Sequence, residues 1–259
     1  MTVLEAIQKS TEFLGKKNVE SPRLQTELLL AHLLKMPRMK LYLNFDRVLS
    51  RAETDALREF VKRRGQREPL QHITGSTSFC GFEITVNRHV LVPRPETELL
   101  ADLGWNFLQG RAGNPLHAGR RAEDCAPYQA LDFCTGSGCI AIALAAKCLG
   151  AKIVATDFSA EALALAKENA ARNNVAEQTE FQQGDGFAAL ANGAQFDLIV
   201  SNPPYIPSGE IATLDPEVRD FDPRVALDGG ADGLEFYRLI ASQAGAFLKP
   251  GGKVMVEFG

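Results

Sequence analysis

Asn202-Pro203-Pro204-Tyr205 follows an apolar run, Phe196 to Ser201, that reads as a buried strand. Two prolines remove two backbone N–H donors and fix the chain, so carbonyls and the Asn202 side chain can point into the crevice at the strand ends. This suits chemistry on a planar NH2 group: one hydrogen to the Asn202 side-chain oxygen, the other to the Pro203 carbonyl, with Tyr205 against the flat face. Such a nitrogen is a poor nucleophile because its lone pair is delocalised. Fixed acceptors for both hydrogens, with the lone pair aimed at a sulfonium methyl about 3 Å away, would help by orientation and by stabilising charge that develops on nitrogen. No strong base is needed beforehand, since the nitrogen becomes acidic as it gains the methyl. A plain proline-rich turn is the competing reading, and the buried strand and the glycine loop upstream weigh against it.

That loop is Leu131-Asp132-Phe133-Cys134-Thr135-Gly136-Ser137-Gly138, a strand running into a tight turn before an apolar helix from Cys139. Glycines allow a ligand to approach the backbone, and free N–H groups at a helix start favour a carboxylate or phosphate. Gly136-x-Gly138-x-x-Ala141 satisfies the dinucleotide fingerprint, and Asp157, 19 residues beyond Gly138, stands where a ribose-binding carboxylate belongs. Asp157 could equally be a helix cap. The loop does not separate a nicotinamide dinucleotide from S-adenosylmethionine. Gly184-Asp185 would place another carboxylate at the rim, within reach of an adenine amino group.

To bring these pieces together the chain must alternate strand and helix. Ala130 to Phe133, Ile153 to Thr156, Glu180 to Gln182, Phe196 to Val200 and Val254 to Phe258 are the strand candidates, with helices beginning near Cys139, Ala160 and Leu234. Such alternation predicts a parallel sheet covered on both faces. Upstream, Phe82, Ile84 and Val86 alternate with polar residues and Val90 to Val92 follows an Asn-Arg-His turn, which predicts a linking hairpin. Pro93 to Glu98 opens a helix through Leu99, Leu103 and Phe107, and 110–127 reads as a surface loop. Residues 1 to 70 read as helices only. Val3, Ile7 and Leu14 share a face, Ser21-Pro22 signals a cap before Leu24, Leu28 and Ala31, Ser50 to Glu53 has capping-box spacing before Leu57, Phe60 and Val61, and Gly65 fits a stop.

The 259 residues, 45% hydrophobic and 23% charged, are ordinary globular values, which exclude a disordered or disulfide-scaffold chain. No apolar run reaches membrane-span length and the amino terminus lacks signal-peptide order, so the expected compartment is the cytoplasm. Five cysteines without a C-x-x-C pair, and four histidines without ligand spacing, predict no metal. The net charge of −4 conceals an asymmetry: +5 over residues 1 to 70 and −9 over the rest.

Leu91-Val-Pro-Arg-Pro-Glu-Thr-Glu98, Leu131 to Gly138, Asp157 and Ser201-Asn-Pro-Pro-Tyr-Ile-Pro207 together resemble the HemK/PrmC release factor glutamine methyltransferases over almost the whole chain. The resemblance implies a Rossmann-like class I S-adenosylmethionine-dependent methyltransferase sheet, an α/β fold, with a small N-terminal helical domain and a linking β-hairpin. It implies methyl transfer from S-adenosylmethionine, leaving S-adenosylhomocysteine, to the glutamine amide nitrogen in the Gly-Gly-Gln loop of class-1 peptide chain release factors. By the same resemblance Asp132, Thr135, Gly136, Ser137, Gly138 and Asp157 hold the cofactor together with Asn202, Asp185 and Gly186 lie by its adenine, and Phe187 is available to stack there. Asn202, Pro203, Pro204 and Tyr205 bind the glutamine, with Asn202, Pro203 and Tyr205 carrying the catalysis.

The domains expected are 1–74 for release-factor docking, 75–94 for the hairpin linker and 95–259 for methyl transfer. An adenine-amine methyltransferase acting on DNA or RNA is the main rival, since its target is also a conjugated NH2. The acidic domain that would hold the substrate argues against it, so no direct nucleic-acid partner is expected. A nicotinamide dehydrogenase lacks an evident proton-transfer residue: no lysine follows Tyr237 at three or four residues. A non-catalytic cofactor-binding adaptor would have no use for Asn-Pro-Pro-Tyr. Ending at Gly259, the chain is expected to lack a C-terminal strand pair, leaving five parallel strands in the order 3-2-1-4-5 with the fifth as an exposed edge.

Overall fold

The structure, a computed structural model, describes residues 1–112 and 127–259. Two compact units divide it: Met1–Gly75 with Asp215–Phe221, and Ser76–Leu214 with Asp222–Gly259.

The first unit contains α1 (Val3–Lys16), α2 (Pro22–Leu33), α3 (Arg38–Leu41), α4 (Arg51–Gly65) and α5 (Leu70–Thr74). Capping boxes start α1 (Thr2 with Glu5) and α4 (Ser50 with Glu53), each satisfying two backbone donors that helices leave free. Val3, Ile7, Leu14, Leu29, Leu30, Leu57 and Val61 fill the core. The start of α2 differs from expectation. Ser21 lies at φ 46 and makes no cap hydrogen bond among the described residues, Leu24 is exposed, and Thr26, Glu27, Leu29, Leu30 and Ala31 face inward. Glu27 sets that rotation: its buried carboxylate accepts from Arg23 Nε (3.0 Å), Arg38 Nη1 (2.8 Å) and Tyr42 Oη (2.9 Å), and a charge is buried only when so paired.

The second unit opens with β1 (Ser76–Phe79) and β2 (Phe82–Thr85), an antiparallel pair joined through Cys80 (φ 51) and Gly81 (φ 84). Two left-handed residues make the tight turn whose twist matches the strands. The hairpin therefore pairs 76–79 with 82–85, not 82–86 with 90–92. The Asn87 side chain accepts the His89 N–H and turns the chain away from pairing, while Val90 and Val92 are buried with no strand partner among the described residues. In α6 (Pro95–Ala112) the predicted Leu99 and Leu103 stripe is exposed, and Thr97, Leu100, Ala101, Gly104 and Leu108 face inward. Small residues decide this: a Cβ at Gly104 would lie 3.1 Å from Leu144 and 3.3 Å from Leu198. The helix continues through Ala112, past the point at which the loop was expected to start; residues 113–126 lie outside the described residues.

β3 (Gln129–Phe133), β4 (Lys152–Asp157), β5 (Thr179–Gln183), β6 (Phe196–Ser201) and β7 (Leu248–Val256) form a parallel sheet in the order β5-β4-β3-β6-β7, the order expected. Connecting them are α7 (Cys139–Lys147), α8 (Ala160–Arg172), then α9 (Pro216–Arg219), which belongs to the helical unit, and α10 (Glu235–Gln243). β7 starts earlier and ends sooner than 254–258. A register shift between Phe196 and Leu198 sets residues 249–252 against Asp197 alone, so the pairing spans both sides of that irregularity. The order reverses between β3 and β6, where crevices open at the carboxyl ends of parallel strands.

The helical unit thus includes a segment that residues 1–74 alone do not contain. Glu217 of α9 accepts from Arg64 Nη2 (2.9 Å) and Arg67 Nε (2.6 Å). A contact between residues about 150 positions apart leaves no local pattern to read.

Candidate active site

The chain from β3 to α7 passes through three left-handed positions, Cys134 (φ 62), Gly136 (φ 55) and Gly138 (φ 81). At Gly136 a Cβ would meet no described atom within 4 Å, so this position opens on the cleft and its glycine answers to conformation. At Gly138 a Cβ would stand 3.0 Å from the Ala166 Cβ, so that glycine is required by the packing of α8.

Asp132 anchors the loop from behind. It is fully buried, and its Oδ2 accepts the Thr135 hydroxyl (2.5 Å) and the Ala141 N–H (3.0 Å); its Oδ1 has no partner among the described residues. Burial pushes its carboxyl up to about 7, against the pull of those two donors. The folded state therefore holds a proton here that the unfolded chain releases near pH 4, and this site's contribution to stability falls as pH rises from about 4 to 7. Asp132→Asn, which keeps an acceptor for both donors, should flatten that part of the melting temperature against pH. A profile parallel to that of the unsubstituted protein from pH 5 to 8 would remove Asp132 as its source.

Asp157, at the end of β4, lies in the cleft. Its Oδ2 accepts the Gly136 N–H (2.8 Å) and its Oδ1 the Ser159 N–H (2.9 Å). The cap of α8 is Ser159, whose hydroxyl accepts the Ala162 N–H, so Asp157 is not the helix cap. Burial raises its carboxyl above the usual range, offset by the backbone donors. Each carboxylate oxygen keeps a further lone pair for a ligand hydroxyl.

Residues 134–137, Asp157, Phe158, Asn202, Pro204, Arg94, Thr97 and Val225 are among those lining a cleft with about 810 Å³ of empty space out to open solvent. Asp185 lies instead on an adjoining shallow face shared with Phe158, Gly184 and Val225. Gly186 (φ 58) packs beneath, where a Cβ would be 3.0 Å from Leu239. Phe187 is not available to adenine: it is buried in the core, stacked between Phe133 (4.9 Å) and Phe247 (5.1 Å). Phe158, 67% exposed and shared by both faces, is the aromatic surface there. A half-buried carboxylate for ribose hydroxyls, an exposed ring for a base and an unobstructed glycine together fit an adenosyl cofactor. Among the described residues no group of three His, Cys, Asp or Glu could hold a metal.

Beyond β6 the Asn202 Nδ2 donates to the Thr97 hydroxyl (3.0 Å), while Pro203 and Pro204 are buried and Tyr205 is half-buried. The segment Asp228-Gly-Gly-Ala-Asp-Gly233 backs this corner. Ile206 N–H donates to Leu227 O (3.0 Å) and Gly229 N–H to Ile206 O (2.9 Å), and a Cβ at Gly229 would stand 2.8 Å from the Tyr205 Cα. Arg94, on the cleft wall, donates to the buried Asp222 (2.7 Å). Behind the glycine loop Asn169 is fully buried, donating to Thr85 O and Ser137 O (both 3.0 Å) and accepting from Thr85 N (2.9 Å), which ties the hairpin to the loop.

Thr97, Phe158, Asn169, Arg94 with Asp222, and the 228–233 segment all escaped sequence reasoning. Arg94 and Thr97 lie in the Leu91 to Glu98 stretch that carries the family resemblance, though no role was read for them, and the 228–233 segment carried a signal of its own, three glycines in six residues, which marks close backbone approach.

A PrmC N-terminal domain model matches residues 5–75 and a methyltransferase small domain model residues 122–214. The release factor glutamine methyltransferase of Geobacter sulfurreducens is 45% identical over 258 residues, covering 100% of this chain and 84% of that protein. The protein of the same name from Chlorobaculum tepidum is 40% identical, covering 99% and 85%, and that from Rhodospirillum rubrum 42%, covering 93% and 69%. Among solved structures, the hMettl16 catalytic domain in complex with an RNA hairpin is similar with a TM-score of 0.49 at 17% identity, over 77% of this chain and 65% of that one.

Proposed function

The chain belongs to the release factor glutamine methyltransferase family, and from that premise we propose that it methylates the side-chain amide nitrogen of the glutamine in the Gly-Gly-Gln motif of class-1 peptide chain release factors. The observation that carries this reading is the Asn202 amide: with its nitrogen given to Thr97, its oxygen is left to receive a substrate N–H at the mouth of the cofactor cleft.

Bound S-adenosylmethionine supplies the electrophilic methyl group. Thr135 to Gly138 and Asp157 hold it, with Phe158 as the surface for its adenine. Asn202 Oδ1 and the Pro203 carbonyl take the two hydrogens of the glutamine amide, and Tyr205 lies along its flat face. These acceptors would orient the lone pair and stabilise the positive charge that grows on nitrogen as the N–CH3 bond forms and the S–CH3 bond breaks; the methylated nitrogen is then acidic enough to lose one hydrogen as a proton to water, so no ionised base is required. Mass analysis of the Gly-Gly-Gln peptide, after incubation of a release factor with the protein and S-adenosylmethionine, tests the whole reading. A gain of one methyl on glutamine is expected, and labelling of nucleic acid instead would overturn it.

Asp157→Ala should weaken binding of S-adenosylhomocysteine by roughly 10- to 100-fold, the worth of hydrogen bonds to a charged acceptor. Since those bonds are equal in ground and transition states, the rate at saturating cofactor should change little. Calorimetry beside initial rates checks this, and a loss confined to the rate would refute the ribose assignment.

Residues 1–74 serve in this reading as the docking part for the release factor. Their charge of +5 opposes the −9 of residues 71–259, and Lys9, Arg58 and Lys62 rim a groove floored by Phe13, Leu57 and Val61. Glutamate at all three positions should raise KM for an intact release factor on the order of tenfold and leave that for a short Gly-Gly-Gln peptide unchanged. Equal effects on both substrates would assign these helices a purely structural part. We place the enzyme in the cytoplasm with that substrate; among the described residues no helix is long and apolar enough to cross a membrane.

A further inference from the structure

We propose that Thr97 is a positioning residue for catalysis, which holds the Asn202 side-chain amide with its oxygen end toward the substrate. The inference rests on the reading above, in which Asn202 receives a hydrogen from the glutamine amide. A primary amide has one acceptor end and one donor end, and half a turn about its last bond exchanges them. Only the acceptor end serves a substrate NH2; the donor end would set N–H against N–H.

The structure holds one of these two arrangements. Its Nδ2 lies 3.0 Å from the Thr97 Oγ1, within hydrogen-bond distance, and Thr97 is 2% exposed. Thr97 occupies the first turn of α6, with its own N–H directed to Arg94 O (3.2 Å), and Ala101 and Gly104 seat the same helix face on the core. A β-branched side chain on a packed helix has few rotamers, so the hydroxyl is held in place. Asn202 is held from its own side by buried Ser201, whose hydroxyl donates to Phe133 O, and by buried Pro203. A hydroxyl can serve either end of an amide, so it is the pairing present, Nδ2 onto Oγ1, that leaves Oδ1 to the cleft, and the fixed Thr97 side chain holds the amide in that position. Thr97 and Asn202 stand 105 residues apart and both line that cleft.

The test compares Thr97→Val, which keeps the branched shape and removes the acceptor, with Thr97→Ser, which keeps the acceptor and removes a methyl. Steady-state rates on a Gly-Gly-Gln peptide are read beside S-adenosylhomocysteine affinity, thermal melting and hydrogen exchange of the Asn202 side-chain amide by NMR. For Thr97→Val the expected result is a kcat lowered about tenfold or more, with cofactor affinity within threefold and faster exchange of the Asn202 amide hydrogens. Thr97→Ser should return kcat to within about twofold of the unsubstituted enzyme. If Thr97→Val does not fold, Thr97→Ala carries the same expectation. A valine variant with unchanged kcat, a serine variant as slow as valine, or a parallel loss of cofactor affinity would each overturn the proposal. Failure of the unsubstituted enzyme to methylate peptide or release factor would instead overturn the functional reading beneath it.

Discussion

Asn202→Ala is expected to lower methyl transfer by roughly 100-fold or more, on the order of 3 kcal/mol in the barrier, while S-adenosylhomocysteine affinity stays within a few-fold. The effect is large because the Asn202 oxygen acts on charge that exists only as the nitrogen is attacked, and interactions of that kind appear in the rate and not in ground-state binding. Alanine also leaves the Thr97 hydroxyl without its donor at a buried position, which should lower the melting temperature slightly. Initial rates at saturating cofactor, with calorimetry on the same preparation, separate the two effects. An unchanged rate would remove Asn202 from the chemistry.

Gly233→Ala should be nearly as damaging although Gly233 is not among the residues lining the cofactor cleft. Its φ of 75 lies in the left-handed region, and a Cβ there would overlap the Tyr205 carbonyl oxygen and fall 3.2 Å from its carbonyl carbon. Backbone cannot yield as a flexible side-chain tip can, so the corner or the 228–233 segment must move. The left-handed conformation costs alanine about 1–2 kcal/mol, and a displacement of the corner near 1 Å costs on the order of 100-fold in rate. Cofactor affinity should hold, because the glycine loop and Asp157 belong to other elements. Gly209→Ala is the control, with no described atom within 4 Å of its Cβ. Equal kcat for the two variants would show that the segment does not position Tyr205.

Local chemistry is what a sequence states in the open. The capping box at Ser50, the run from Leu131 into Gly136 and Gly138, and the prolines after Asn202 act over a few residues, and each was legible as written, whereas the capping box at Thr2 was not read. Helix rotation was harder. In α2 and α6 the leucine spacing pointed to Leu24, Leu99 and Leu103, yet all three are exposed. In α2 a buried carboxylate and its ion pairs set the face; in α6 small residues allowed close packing, and leucine spacing records neither. The hairpin was misassigned for a related reason: Val90 to Val92 is apolar because it is buried, and burial alone does not select a strand partner.

By itself the sequence determined the order of strands and helices, the glycine turn, the acid at Asp157, the Asn-Pro-Pro-Tyr corner and the chemistry they imply, because neighbouring residues specify these through torsions, hydrogen-bond capacity and turn geometry. Only the tertiary structure decided that Asp132 stands behind the loop while Asp157 faces the cleft, that Phe187 is core while Phe158 is surface, and that Thr97 holds the Asn202 amide while Gly229 and Gly233 hold the backbone beyond it. Those assignments depend on burial and, apart from the local bond of Asp132 to Thr135, on contacts between residues from about 20 to more than 100 positions apart; packing, which no local pattern encodes, selects which of several equally suitable side chains meet.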